Sequence, residues 1–350
     1  MIPVNSYAAF STSTPLAPYS FERRSVGEND VQIEILFCGV CHSDLHQVRD
    51  EWGGSKYPMV PGHEIVGKVI SVGKNVSTFK VGDLAGVGVM VDSCKTCHTC
   101  KKDLEQYCEE GFTGTYNAKE RNSDDITKGG YSTQIVVDQH YTFHISEKLN
   151  LAAVAPLLCA GITTYSPLVY AGVKKGMKVA VVGLGGLGHM GVKFAVSFGA
   201  EVTVISTSPS KEADAKKLGA THFLVSTDKA AMSKYNNYFD VILDAISANH
   251  DYTDYLNLLG IDGKLMVVGL PIESPKVQPF SLVTNRRSVI GSCIGGMKET
   301  QEMLDYCAEH NIVSEIEVIP MQQINEAYER MLKGDVKYRF VIDLASIKNI

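Results

Sequence analysis

Residues 178–206 constrain the fold of this chain more than any other stretch. Lys178-Val-Ala-Val-Val-Gly183 is a short apolar run of strand type. Gly183-Leu184-Gly185-Gly186-Leu187-Gly188 follows, and a helical period over residues 189–199 then sets Leu187, Met190, Phe194, Ala195 and Phe198 on one side. Glu201-Val-Thr-Val-Ile-Ser206 is a second strand. Strand, GxGxxG, helix and strand within about thirty residues make a βαβ unit of the Rossmann type. The glycines permit a tight turn and let backbone N–H groups approach a pyrophosphate at the helix N-terminus. Further strands at 221–225, 241–244, 264–269 and 288–293 complete a doubly wound parallel sheet of about six strands.

The end of the second strand speaks to the nucleotide. NAD-binding units place an Asp or Glu there to hold the ribose 2′-OH. This chain has Ser206-Thr207-Ser208-Pro209-Ser210-Lys211. A carboxylate would repel a 2′-phosphate, whereas Ser206, Thr207, Ser208 and Lys211 can hydrogen-bond and neutralise one. The expected cofactor is NADP(H). The same serines could instead cap a helix over 211–218, and the two readings are compatible.

Two groups of metal-type residues precede this unit. Cys41-His42-Ser43-Asp44-Leu45-His46 and Gly62-His63-Glu64 bring one thiol, three imidazoles and two carboxylates into a short segment. Sulfur with imidazole suits zinc, but the local set is only half a site. Ser43 is placed to cap the short helix after the first strand. Cys94, Cys97, Cys100 and Cys108 follow at spacings that let four thiolates close around one tetrahedral ion. Such a closed site is structural, because no position remains for water. A redox CxxC is the alternative, but the strand–helix context it requires is missing. Cys159, in the apolar run 151–171, taken alone reads as a buried core thiol, and the incomplete zinc site makes it a candidate ligand.

Around these features the first ninety residues read as short alternating strands: 31–37, 65–72 and a continuous run over 84–91, separated by turn signals. Residues 117–128 are polar and of mixed charge, a solvated loop. The last fifty or so residues carry a helix at 298–310 and β patterning at 313–319 and 338–344, so they could return to pack on the first half. With 33 basic and 39 acidic residues the net charge is −6, and no long basic run suggests nucleic acid. No apolar run reaches membrane-span length and residues 1–20 lack a signal-peptide pattern, so a cytoplasmic protein without a membrane partner is expected. In that reducing compartment the nine cysteines are ligands, nucleophiles or core residues before disulfides.

As a set these residues resemble the zinc-dependent medium-chain alcohol dehydrogenases. The nearest likeness is to the cinnamyl alcohol dehydrogenase type and its bacterial NADPH-dependent aldehyde reductase relatives. The likeness covers nearly the whole chain. It rests on Gly39-Val-Cys-His-Ser-Asp44, Pro61-Gly-His-Glu64, the four-cysteine segment, Ala155-Pro-Leu-Leu-Cys-Ala-Gly161, the glycine-rich turn, Ile290 to Thr300 and Tyr338-Arg-Phe-Val-Ile-Asp343. It implies a two-domain α/β protein. Residues 1–154 and 296–350 form a β-rich, GroES-like catalytic domain carrying a structural zinc lobe at 92–110, and residues 155–295 form the Rossmann domain.

The resemblance further implies that Cys41, His63 and Cys159 hold a catalytic zinc, with water, substrate or Glu64 in the fourth position. Asp44 would orient the histidine ligand. Ser43 would hand a proton to the alcohol oxygen, with His46 at the outer end of that relay. His42 and Arg339 would meet the cofactor pyrophosphate, unless they serve surface or capping roles. Thr163, Gly269, Ser292, Cys293 and Ile294 would lie near the nicotinamide half. Three departures stand out. Ala245 replaces a threonine typical of the plant enzymes, and the loop after Cys108 lacks their tryptophan. The single tryptophan, Trp52, either walls the substrate pocket or simply packs. The implied activity is reversible hydride transfer between NADPH and an aromatic or medium aliphatic aldehyde. The alternatives are quinone or enoyl reductase chemistry on the same fold, or an NADPH-binding protein without turnover. The family also suggests a homodimer through the edge strand 288–293.

Overall fold

The computed structural model describes residues 1–347 and divides into two compact units. One comprises residues 1–159 and those from 295 onward; the other comprises residues 160–294. Cys159 is thus the last residue of the first unit's main segment, five positions beyond the boundary expected from the sequence.

The first unit is built on a seven-stranded sheet. Its central strand, Asp30–Gly39, alternates so that Val31, Ile33 and Ile35 are fully buried. It pairs antiparallel with Ile65–Val72 on one side, and on the other with Gln134–Asp138 and Arg339–Asp343. The last of these strands comes from the C-terminal segment, which returns to the first half of the chain and adds Ile316–Pro320 in parallel at the sheet edge. The expected continuous strand over 84–91 is two. Leu84–Val87 stays in the main sheet, while Met90–Asp92 pairs with Thr113–Gly114 at the cysteine segment. The break at Gly88–Val89 re-aims the chain, and it lets Met90–Asp92 lead directly into the four cysteines.

The second unit is a six-stranded parallel sheet. Its order is His222–Val225, Glu201–Ser206, Lys178–Val182, Phe239–Asp244, Leu259–Val267 and Ser288–Gly291. Strand order therefore reverses between Lys178–Val182 and Phe239–Asp244, the switch point at which such sheets bind ligands. The helix Gly188–Ser197 buries Met190, Phe194 and Ala195, and so covers one face of the sheet. Ser288–Gly291 is an edge strand.

Candidate metal and cofactor sites

The short helix His42–Val48 begins just after the central strand Asp30–Gly39. Cys41 occupies its N-cap, and the Cys41 N–H donates to Asp44 Oδ2 at 2.9 Å. Asp44 therefore closes the helix start, and the expected cap by Ser43 is not formed. The Ser43 hydroxyl instead lies 3.6 Å from Cys41 Sγ. Asp44 is fully buried and accepts three more hydrogen bonds: from Gly62 N–H at 3.1 Å, from His63 Nδ1 at 3.0 Å and from the Tyr131 hydroxyl at 3.3 Å. One carboxylate thus ties together the two sequence segments that supply Cys41 and His63. With Nδ1 engaged by Asp44, Nε2 is the nitrogen of His63 that would meet a metal.

Ligand atoms of Cys41, His63, Glu64 and Cys159 all lie within 4.8 Å of one another, and all four residues are buried. The Cys41 and Cys159 sulfurs are 4.0 Å apart and not bonded. Zn–S bonds of about 2.3 Å at a tetrahedral angle put two sulfurs about 3.8 Å apart, so this spacing fits zinc closely. Glu64 offers the cluster a further donor. One of its oxygens pairs with Arg339, while Oε2 is buried with no hydrogen-bond partner among the described residues. Burial pushes the Glu64 carboxyl up to about 7 against the pull of Arg339. The contact with Cys159 pulls the Cys41 thiol well down, and the same contact pushes the Cys159 thiol well up. Thiols bind a divalent cation as thiolates, so metal binding here would release protons. The donor set, the spacing and the orphaned oxygen all fit zinc.

Arg339 is 5% exposed and bonded to Glu64, so its guanidinium faces the ligand cluster. His46 pairs through Nδ1 with Glu51, and its ring lies 6.4 Å from that of His42 and 5.0 Å from that of Trp52. His42 is exposed, and Trp52 is 49% exposed with its indole against His46.

Cys94, Cys97, Cys100 and Cys108 likewise bring their sulfurs within 4.8 Å of one another. The chain turns so that its own polar groups face the sulfurs. Cys97 N–H points to Cys94 Sγ at 3.3 Å, Cys94 N–H to Cys108 Sγ at 3.4 Å, and the Thr99 hydroxyl lies 3.2 Å from Cys97 Sγ. That hydroxyl leads the groups that lower the Cys97 thiol to about 5. Burial pushes the Cys100 thiol the other way, up to about 12, so the four sulfurs are unequal; four thiol donors without an open fourth position are what a structural zinc requires.

In the second unit the glycine-rich turn is sterically demanding. Gly183 has φ of +88°, and a Cβ on Gly188 would stand 1.8 Å from the Gly183 carbonyl oxygen. Leu184 is buried, while Gly185 is exposed with nothing within 4 Å of a built Cβ. Gly186 and Leu187 are half-buried. Lys211 reaches back to this turn, its Nζ donating to the Leu184 carbonyl at 2.9 Å. Ser206 is buried and its hydroxyl accepts from Ser208 N–H at 3.2 Å; Thr207 is exposed. No side chain of residues 206–210 caps the helix Glu212–Lys217, because Pro209–Lys211 form a separate turn ahead of it. Of the five expected nicotinamide-side residues, Thr163 lies buried on the helix Ala160–Ala171, Gly269 is buried just past the fifth strand, and Ser292, Cys293 and Ile294 follow the edge strand.

Several residues that sequence reasoning passed over belong to these sites. Tyr131 holds Asp44, and the Tyr116 ring stacks on that of His63 at 5.9 Å. Glu105, inside the cysteine segment, accepts from Met297 N–H at 3.0 Å and faces His140 Nε2 at 3.1 Å. It thereby anchors the segment to the helix Met297–His310. An acid between two cysteines of a zinc lobe was the available signal for Glu105. The tyrosines had none, since a buried tyrosine has no sequence mark of its own.

Family comparisons agree with this geometry. Residues 27–147 match the alcohol dehydrogenase GroES-like domain and residues 186–309 match the zinc-binding dehydrogenase domain. The chain is 52% identical over 350 residues, all of both chains, to NADP-dependent alcohol dehydrogenase C 1 of Mycolicibacterium smegmatis. It is 54% identical to aldehyde reductase YahK of Escherichia coli over 97% of this chain and 98% of that one. The crystal structure of the cinnamyl alcohol dehydrogenase from Helicobacter pylori complexed with NADP(H) superposes with a TM-score of 0.92 at 44% identity, covering 98% and 99% of the two chains. The chain belongs to the zinc-binding medium-chain alcohol dehydrogenases.

Proposed function

We propose that this protein is a zinc- and NADP(H)-dependent alcohol dehydrogenase that works chiefly as an aldehyde reductase on aromatic or medium aliphatic aldehydes. The observation that carries this reading is the buried Cys41–His63–Cys159 set, with Nδ1 of His63 engaged by Asp44 and a Glu64 oxygen that has no hydrogen-bond partner among the described residues. Quinone and enoyl reductase chemistry needs no such set. When bound, the metal supplies Lewis-acid polarisation of a carbonyl oxygen and the reduced nicotinamide supplies the hydride.

The protein's own residues do the rest. Cys41, His63 and Cys159 hold the metal, and Asp44 fixes the tautomer and orientation of His63. Ser43, beside Cys41, is the proton donor to the nascent alcohol, and His46 returns the proton from solvent. Glu64, paired with Arg339, would be a further oxygen donor to the metal. Arg339 brings a positive charge towards the cofactor phosphates, and His42, whose pKa desolvation pushes below the ordinary histidine value, brings a hydrogen-bonding imidazole. In the second unit, Gly183–Gly188 accept the pyrophosphate, and Ser206, Thr207, Ser208 and Lys211 meet the 2′-phosphate. Thr163, Gly269 and residues 292–294 line the nicotinamide half. Trp52 contributes apolar surface for the substrate.

We further infer a homodimer in a reducing cytoplasm. Leu270, Ile272, Phe280 and Val283 are 67–93% exposed in the segments that precede the edge strand Ser288–Gly291, an apolar surface suited to a second copy of the chain.

A panel of aromatic and aliphatic aldehydes with NADPH and NADH side by side tests the function. Strong preference for NADPH is expected, moving towards NADH by roughly tenfold or more in Ser206→Asp, since a carboxylate there repels the phosphate and accepts the ribose hydroxyls. Equal use of both cofactors by the unaltered protein, or an unchanged ratio in the variant, removes the 2′-phosphate assignment. No turnover of any aldehyde removes the reductase.

A further inference from the structure

At the switch point of the six-stranded sheet sits a charged pair that the chemistry above does not use. Asp244 ends the strand Phe239–Asp244 and is fully buried. Its backbone carbonyl accepts from Val268 and Gly269 N–H, both at 3.0 Å, joining the end of its own strand to the end of the next. Its carboxylate accepts from Ile246 N–H at 3.1 Å through Oδ1, and Oδ2 lies 2.8 Å from His250 Nε2. The other ring nitrogen of His250, Nδ1, lies 2.7 Å from the Ala248 carbonyl oxygen.

Ionised carboxylate and carbonyl oxygens only accept, and a neutral imidazole carries one N–H. Both contacts can be hydrogen bonds only if the ring is doubly protonated. Among the described residues no lysine or arginine pairs with Asp244, so the imidazolium is the partner that offsets this buried charge. The 245–250 turn held in this way borders the glycine-rich turn. Ala245 N–H donates to the Val182 carbonyl at 3.0 Å. The Ile246 side chain is the nearest atom, at 3.2 Å, to where a Cβ would stand on Gly183.

We propose that His250, in its doubly protonated form, is a positioning residue for the dinucleotide: acting through Asp244, it holds the 245–250 turn against Gly183, so that cofactor affinity is linked to its charge. The proposal rests on reading this unit as the NADP(H) site. The groups that face the ring are Asp244 and Asp251, with the Tyr252 and Tyr255 rings packed on it at 5.2 and 5.6 Å. One step further out, Lys276 acts on Asp251 and Asp254 on Tyr255. The Asp244 hydrogen bond leads the groups that raise the His250 pKa above its ordinary value. A raised value means that the contribution is fully present below the ordinary histidine range and is lost as pH rises through the raised one.

The test is made first on the unaltered full-length protein with both zinc sites filled. The His250 ring is followed by NMR across pH, with and without saturating NADP⁺, and its signals are assigned by their loss in His250→Gln. Binding is reciprocal, so if charge favours cofactor then cofactor must favour charge, raising the His250 midpoint by roughly half to one pH unit for a three- to tenfold linkage. NADP⁺ binding by calorimetry is then measured between pH 7 and 9, where the 2′-phosphate, with a second pKa of about 6, is already ionised. The advantage of the wild type over His250→Gln is expected to be largest, up to roughly tenfold, at the acid end of this range and to shrink as pH rises, titrations common to both proteins cancelling in the ratio. Thermal unfolding of the cofactor-free variant reports its fold. A His250 midpoint that cofactor does not move overturns the proposal, and so does a folded variant whose deficit is the same at pH 7 and pH 9. Failure of the unaltered protein to bind NADP⁺ at any pH overturns the cofactor reading itself and is seen directly.

Discussion

The two cysteine clusters of this protein are assembled in opposite ways. Cys94, Cys97, Cys100 and Cys108 span fifteen residues, and the cluster hydrogen-bonds to its own backbone and to Thr99. Cys41 and Cys159 are 118 residues apart, and only the tertiary fold brings them together. The first cluster has four thiols and no vacancy. The second has two thiols, one imidazole and a carboxylate whose loyalty is divided between Arg339 and the cluster. A local site can be closed and structural because the loop that makes it has nothing else to do. A site drawn from distant segments can hold an open position, because the surrounding fold rather than the ligands keeps its shape.

Removing single residues separates the two. Cys41→Ala is expected to lower turnover roughly a thousandfold, since Lewis-acid stabilisation is worth several kcal/mol, while calorimetric NADPH binding persists. Full activity in a variant lacking the catalytic metal would refute the division of roles. Asp44→Asn should keep both clusters but weaken the dispersed one. Competition with a chelator is expected to show one zinc held about 10- to 100-fold less tightly while the other is unchanged. If both metals loosen together, Asp44 acts on the fold and not on His63. Cys97→Ser should do the converse, lowering the unfolding midpoint by about 5–10 °C. Its kcat should stay within about threefold of wild type, because the lobe touches no reacting group. A large loss of kcat without loss of stability would erase the distinction.

Much of both sites is legible in the sequence because it is written in short-range patterns. The four-cysteine spacing is such a pattern. So is the strand–turn–helix around Gly183–Gly188, whose periods of two and 3.6 are local properties of the chain. Where local patterns mislead, a tertiary contact has overruled them. Ser43 is a good capping residue, but the helix starts ahead of it with Cys41 at its N-cap, and Asp44, held by Gly62, His63 and Tyr131, accepts from the Cys41 N–H. The run 84–91 is continuous in hydropathy, but Gly88–Val89 hands its second half to a different sheet.

What the sequence by itself determined is therefore the kind of chemistry: a dinucleotide turn, a closed thiolate lobe, and a half-site of Cys41 and His63 awaiting a partner. The tertiary structure decided which atoms face one another. It brought Cys159 within 4.0 Å of Cys41, set Arg339 on Glu64 across 275 residues and placed His250 on Asp244 at the switch point. Such contacts depend on sheet register and loop closure, and no periodicity along the chain encodes them.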